Sequence, residues 1–433
     1  MKIGFIIPCD FHNYRPFRNQ PLNALYFLTI LEKQFGEDVE LSLIDLRGVN
    51  KDDAIYYVPE NDIYLYSVAT IDFLESIRMV QEIRVVYPKA RHIAGGIHIN
   101  IYHQECAKLF DVIAIGEGED IIVEIIKDAF ASKLKNVYTE SRQVNINHYP
   151  YPDRKFLPKT AVVYRGLLNG EYKEMLGTTS LFSRGCMYKC DFCANLTQSA
   201  LRLRTPELIV EEIEYLKRDY GVQALAMKDD TIISFHQETA RKTLKAIQTT
   251  GIIWRGNSRA SGYSKEILKL AKESGCVDLA VGVESVSQEA LSNINKKLDL
   301  KKAKEFLKWM NEVGIGIRLN LIIGLPGEPK DIVKKSIEFI KEIQPSSVLL
   351  SILTPVPGSK MFQHPEKFGI KMYPNVSFSK LFGLAGRFDD SEKPSMVFEY
   401  EPHTPFGESM PNEEIINNYI ELQAYLRENS LTF

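Results

Sequence analysis

With 433 residues, 45% of them apolar and 25% charged, the chain has the composition of an ordinary folded protein with room for two domains. A formal net charge of −3 leaves no basic footprint, so nucleic acid is not an expected partner. No apolar stretch is long enough for a transmembrane segment, and Met1-Lys2-Ile3-Gly4-Phe5 leads straight into a strand pattern rather than a secretory signal, so a cytoplasmic location is expected.

Residues 1–131 alternate short apolar runs with amphipathic stretches. Lys2–Ile7, Val39–Ile44, Ile63–Ser67, His92–Ala94 and Val112–Ile115 are predicted strands; Pro21–Phe35, Leu74–Tyr87 and Asp120–Phe130 are predicted helices. Such alternation implies a parallel sheet covered on both faces: a doubly wound, flavodoxin-like (Rossmann) domain with any ligand at the carboxyl ends of its strands. Three loops fall at that edge. Ser67-Val68-Ala69-Thr70 follows the third strand, Gly95-Gly96-Ile97-His98 the fourth and Gly116-Glu117-Gly118-Glu119 the fifth. Glycines there either let backbone approach a large ligand or simply make tight turns.

Residues 132–176 form a connector. Its segment Asn147-His148-Tyr149-Pro150-Tyr151-Pro152 is biased to extended structure by its prolines, as a strap able to bring the edges of two domains face to face. Val162–Tyr164 and Tyr172–Met175, flanking Gly166 to Gly170, are predicted to pair as a hairpin.

Residues 177–360 repeat strand and helix six times. Predicted strands are Ser180–Ser183, Gln223–Met227, Ile252–Trp254, Asp278–Val283, Ile315–Ile323 and Ser347–Leu353. Thr205 and Pro206 make a helix start, and Leu208, Ile209, Ile213, Leu216 and Tyr220 follow at helical spacing. The result is a partial (β/α)6 barrel of the TIM type, whose site belongs at the carboxyl ends of its strands. The lysines at 296, 297, 301, 302 and 304 are read as a solvated helix face. Residues 361–433 form an extension in which Phe378, Phe382 and Phe388 alternate with glycine and charge, and Glu413–Asn429 closes as a helix.

The chemistry is concentrated just after the first barrel strand. Cys186, Cys190 and Cys193 are spaced C-x3-C-x2-C, while the other three of the six cysteines, Cys9, Cys106 and Cys276, lie far apart. A cubane cluster takes four cysteines where it is fully ligated, so three leave one iron open for chemistry. Zinc is the competing reading, but no histidine stands in the expected window; His148 and His236 are each about forty residues away. A disulfide plus a spare thiol fits poorly in a large chain this poor in cysteine.

The flanks carry a resemblance. Ser183-Arg184-Gly185-Cys186-x3-Cys190-x-Phe192-Cys193 resembles the signature of radical S-adenosylmethionine (SAM) enzymes. Asp229-Asp230, Gly282-Val283-Glu284-Ser285, Gly324-Leu325-Pro326-Gly327-Glu328 and Thr354-Pro355-x-Pro357-Gly358 follow in the order of the branch holding cobalamin-dependent enzymes and tRNA methylthiotransferases. The three N-terminal loops, with Gly-Gly-x-His and Gly-Glu-Gly-Glu, resemble the cobalamin-binding domain that precedes many such barrels. The likeness covers roughly residues 1–360. It implies a 4Fe-4S cluster on Cys186, Cys190 and Cys193, and SAM bound by the open iron, with Phe192 against the adenine. Asp229 or Asp230 would then lie near the amine, Glu284 and Ser285 at the ribose, and Arg318 at the carboxylate. It also implies cobalamin held by Ser67, Thr70, Gly95, Gly96, His98, Gly116, Glu117, Gly118 and Glu119. Asp10-x-His12-x-x-Arg15 departs from the D-x-H-x-x-G motif of proteins that ligate cobalt through histidine, so His12 is read as a loop residue.

The function so implied is reductive cleavage of SAM to a 5′-deoxyadenosyl radical and cobalamin-dependent methyl transfer to an unactivated carbon. The substrate would be a small molecule or peptide, with flavodoxin or ferredoxin as electron donor. The alternatives are a radical cyclisation or rearrangement with an altered cobalamin site, and a non-catalytic iron–sulfur or zinc protein. The tail lacks a late cysteine cluster and basic charge, which argues against a methylthiotransferase.

Overall fold

The computed structural model describes residues 1–9, 16–194, 201–374, 376 and 396–432. His12 with its motif, and Phe378, Phe382 and Phe388, lie outside the described residues. The chain divides into two compact units, Met1–Leu167 and Leu168–Phe433.

The first unit contains β1 (Lys2–Ile7), α1 (Leu22–Phe35), β2 (Glu40–Asp45), β3 (Ile63–Ser67), α2 (Phe73–Val86), β4 (Arg91–Gly95), α3 (Ile97–Ile101), α4 (His103–Cys106), β5 (Val112–Ile115), α5 (Gly118–Phe130) and β6 (Val137–Thr139). The strands lie in the order β2-β1-β3-β4-β5-β6, all parallel. Period-two alternation sorts the apolar residues between two faces. Ile3, Phe5, Ile63, Leu65 and Ile93 bury with Leu28, Ile121 and Ile125 on one side. Ile6, Tyr64, Tyr66 and Ala94 bury with Met79, Val80 and Ile83 on the other.

β6 falls in the segment read as connector, and much of that connector packs on this unit. Asp153 N donates to Thr29 Oγ1 at 2.9 Å, and Lys155 pairs with Glu32 at 2.5 Å. The expected hairpin is absent from the described residues. A short helix, α6 (Lys159–Val162), and a 3-10 turn at Gly170–Tyr172 stand in its place. Its runs are too short and too polar to bury a face, and Pro158 makes a good helix entry.

The second unit opens with β7 (Gly177–Ser180), then β8 (Ser183–Arg184) paired antiparallel with β9 (Arg202–Leu203). α7 (Pro206–Tyr220), β10 (Ala224–Met227), α8 (Gln237–Thr250), β11 (Ile253–Arg259), α9 (Lys265–Glu273), β12 (Cys276–Glu284), α10 (Gln288–Asn293), α11 (Leu300–Val313), β13 (Gly316–Ile323), α12 (Ile332–Ile343) and β14 (Ser347–Ile352) follow. Six parallel strands in the order β14-β13-β12-β11-β10-β7 make a half-barrel. α7 starts as its sequence requires: Thr205 Oγ1 accepts from Leu208 N, Pro206 takes the first turn and Gly221 ends it at φ 67°.

The extension contributes α13 (Lys360–Gln363), a hairpin of β15 (Ile370–Met372) and β16 (Phe398–Tyr400), a small hairpin of β17 (His403–Thr404) and β18 (Gly407–Glu408), and α14 (Asn412–Glu428). After α14 the chain runs along the open edge of the half-barrel, where Leu431 O accepts from Val348 N at 2.7 Å. That bond occupies one backbone donor an edge strand would leave unpaired. Among the described residues, no helix is long and apolar enough to cross a membrane.

Candidate metal centre

The cysteine loop leaves β7 at its carboxyl end, anchored by a buried carboxylate. Asp229, just past β10, accepts from Phe182 N at 2.9 Å and from Ser183 Oγ at 2.5 Å. Burial pushes its carboxyl up to about 6. The loop is then held from two other places. Asp191 N donates to Ile294 O (3.0 Å) and Asn295 Nδ2 to Lys189 O (2.8 Å). From the extension, Met361 N donates to Asp191 O at 2.9 Å and Lys360 pairs with Asp191 at 3.1 Å. Cys186 and Cys190 are half-buried and Cys193 is exposed.

Among the described residues, no three His, Cys, Asp or Glu side chains converge on one ion. A four-iron cube makes a different demand, since each thiolate takes its own iron. Three thiols on one braced loop meet that demand. Arg259, the last residue of β11, brings Nη1 to 3.9 Å from Cys190 Sγ. The Cys186 thiol is pushed up, chiefly by burial and then by the charges of Asp230 and Cys190; a backbone bond at Tyr188 and the Arg259 charge oppose the rise.

The other strand ends gather around this loop. Glu284 ends β12 at φ 73°, where the β12–β13 register slips. Its Oε1 accepts from Lys296 Nζ at 2.7 Å, and the ammonium lies 5.8 Å from the centre of the Phe192 ring. A Cβ on Gly282 would overlap the Glu284 carboxylate, so that glycine makes room for the pair. Lys296 is only 6% exposed, which corrects its reading as part of a solvated face. A buried ammonium needs a carboxylate partner, and only Glu284 supplies one among the described residues. Ser285 is buried and donates from Oγ to Glu328 Oε1 at 3.0 Å. Glu328 Oε2 accepts from Gly324 N (2.7 Å) and Leu325 N (3.3 Å), and burial pushes this carboxyl up to about 7.

Two expected SAM contacts are engaged elsewhere. Arg318 is the third residue of β13, near its amino end; it pairs with Asp278 and donates to Gly256 O at 3.0 Å, deep in the half-barrel. Asp229 spends Oδ1 on the cysteine loop's entry. Asp230 has an exposed surface, though dense surroundings raise its carboxyl. Phe192 is partly buried against an apolar cluster that joins barrel residues such as Leu325 to extension residues such as Met361 and Phe398, so the extension helps to hold it.

Residues 180–340 match the family model of the radical SAM superfamily. This segment is similar to the radical SAM domain. The similarity extends beyond it. The chain is 27% identical over 296 residues to an uncharacterized methyltransferase of Pyrococcus horikoshii, covering 63% of this chain and 62% of that one. It is 28% identical over 327 residues to the anaerobic magnesium-protoporphyrin IX monomethyl ester cyclase of Cereibacter sphaeroides, covering 68% and 52%. The chain thus spans less than two thirds of either relative. In fold it resembles TsrM, a radical S-adenosylmethionine methyltransferase from Kitasatospora setae solved with cobalamin and a 4Fe-4S cluster bound. The TM-score is 0.69 at 16% identity, over 98% of this chain and 88% of that one.

Of the charged residues beside the cysteine loop, the sequence does not single out Arg259, and it places Lys296 on a solvated face. A signal for Arg259 existed: the strand pattern continues past Trp254 through Arg-Gly-Asn-Ser-Arg, and alternate residues of a strand share a face. Lys296 had no local signal.

In the N-terminal unit, the three loops do collect at the carboxyl edge of the sheet. Ser67 Oγ accepts from Asn23 Nδ2 (2.8 Å), and Thr70 Oγ1 lies 3.2 Å from His98 Nδ1. The His98 ring is stacked 4.1 Å from Phe73 and lies 4.8 Å from Tyr102; burial pushes it down to about 4. The glycines serve the protein's own packing. A Cβ on Gly96 would meet the Val68 backbone at 2.7 Å, and one on Gly116 (φ 104°) would overlap the Glu140 carbonyl oxygen. Gly118 makes room for Phe27, while Gly95 has ordinary clearance. Glu117 Oε2 accepts from Val144 N at 2.7 Å, and Glu119 is buried within α5.

Proposed function

We propose that the protein is a radical SAM enzyme, a cobalamin-dependent methyltransferase acting on an unactivated carbon of a small molecule or peptide. The observation that carries this is the cysteine loop. Three thiols stand at the mouth of a parallel half-barrel, braced by Asp229, Asn295 and Met361, with a cation against one sulfur. Bound there, a reduced 4Fe-4S cluster supplies the electron that splits SAM, and cobalamin supplies the methyl group. Cys186, Cys190 and Cys193 hold the cluster. Phe192, Glu284 and Ser285 contact SAM, and the hydrogen bond from Lys296 holds the Glu284 side chain in place. Arg318 and Asp229 position the barrel and the loop. The carboxyl edge of the N-terminal sheet, with the hydroxyls of Ser67 and Thr70 and the backbone after β4 and β5, holds the cobalamin. The likeness in fold to TsrM supports this assignment. An external ferredoxin or flavodoxin supplies the electron in a cytoplasmic setting.

The test needs no substrate. The protein is purified anaerobically with its metals and corrinoid content measured, then given SAM and titanium(III) citrate. Iron, a corrinoid, 5′-deoxyadenosine and S-adenosylhomocysteine are all expected, the last from remethylation of cobalt. Zinc in place of iron overturns the reading. 5′-Deoxyadenosine without corrinoid or S-adenosylhomocysteine moves the assignment to a radical cyclisation or rearrangement.

A further inference from the structure

Arg259 is a buried charge. It is 7% exposed, and among the described residues no Asp or Glu pairs with it. Its guanidinium lies 3.7 Å from the centre of the Tyr188 ring, inside the cysteine loop. Nη2 donates to Lys297 O at 2.9 Å, Nη1 points at Cys190 Sγ at 3.9 Å, and Nε is buried with no hydrogen bond. Arginine stays charged in proteins, and a buried charge without a counter-charge is costly. The sulfur of the cysteine loop that its fork faces is Cys190 Sγ, which would carry negative charge as a cluster ligand.

The stacking fixes where that charge sits. Tyr188 meets Phe235 edge-on at 5.5 Å, and Phe235 stacks on the buried Tyr263 at 5.2 Å. A planar guanidinium clamped between this aromatic column and a backbone carbonyl has little freedom to swing away.

Given the cluster reading above, we propose that Arg259 is the counter-charge of the iron–sulfur cluster, donating to the Cys190 sulfur and raising the cluster's reduction potential. Reduction adds one electron from an external low-potential donor and makes or breaks no bond. The added negative charge is stabilised by a fixed cation and an N–H···S contact, two of the factors that set such potentials. Arg259 therefore eases electron entry rather than binding SAM.

The experiment is an anaerobic potentiometric titration of the full-length, cluster-loaded protein, followed by electron paramagnetic resonance, with iron per chain measured alongside. Arg259→Gln removes the charge and keeps a donor; Arg259→Lys keeps the charge and loses the planar fork. The glutamine variant is expected to keep its iron and show at least a tenfold less favourable reduction equilibrium, ~59 mV for a one-electron couple. The lysine variant should fall between it and the parent. Loss of iron from the glutamine variant alone also supports a charge role. An unchanged or raised potential in Arg259→Gln overturns the proposal. Equal loss of iron from both variants makes Arg259 a brace through Lys297 and overturns it as well. Absence of iron from the parent protein instead defeats the functional reading beneath it.

Discussion

Replacing Glu328 with glutamine separates the charge of this side chain from its hydrogen bonds. The carboxyl is buried at the end of β13, accepts from Ser285, Gly324 and Leu325, and is raised from the ordinary 4.5 to about 7, mainly by desolvation. A carboxyl raised in the folded state favours folding while protonated. That contribution is whole below about pH 4.5 and is lost as pH rises through 7. At about 1.36 kcal/mol per unit, the full swing is about 3 kcal/mol. In Glu328→Gln the amide oxygen can take the two backbone N–H groups and the amide nitrogen can donate to Ser285 Oγ, so the network survives without a charge to bury. Thermal melts from pH 5 to 8.5 should find the two proteins close at pH 5. At pH 8.5 the parent should melt lower by on the order of 5 °C. A gap that stays constant across this range would refute the buried, protonated carboxyl. Glu328→Ala should be worse at every pH, because it strands two backbone donors at roughly 1–3 kcal/mol each.

Glu284→Ala should weaken SAM binding by roughly ten- to a hundred-fold, about 1.5–3 kcal/mol, with iron unchanged; calorimetric titration showing parental affinity would retire the ribose assignment. Gly116→Ala forces a side chain onto φ 104° and into the Glu140 carbonyl, so its urea midpoint should drop by the equivalent of about 2 kcal/mol or more, and a variant as stable as the parent would contradict this backbone path. His92 and His98 are each pushed down to about 4 by burial, so their neutral rings contribute stability that is complete above pH 6.5 and lost as pH falls toward 4, about 3 kcal/mol apiece. His98→Gln should therefore flatten the acid side of the stability profile, and an unaltered profile would show that the ring is not the titrating group.

The elements of both units were written locally. Lys2–Ile7, Ile63–Ser67 and Val112–Ile115 stand where their β-branched runs put them, and Thr205-Pro206 starts a helix because a cap and a fixed φ act within one turn. The cysteine spacing was legible for the same reason: three thiols in one short loop are neighbours whatever the remainder of the chain does. β6 was missed because three residues carry too little periodicity, and the hairpin was expected where turn residues abound but no face is buried. What only the tertiary structure decided is the electrostatics. Arg259 and Cys190 are 69 residues apart, Asp229 reaches back 46 residues to Ser183, and Arg318 finds Asp278 on the neighbouring strand, 40 residues back. Lys296 reads as one lysine in a soluble run until the fold closes over it and leaves Glu284 as its partner. Apolar periodicity is a property of neighbouring residues. The partner of a buried charge is chosen by which strand ends the closed sheet brings together, and desolvation makes that choice binding.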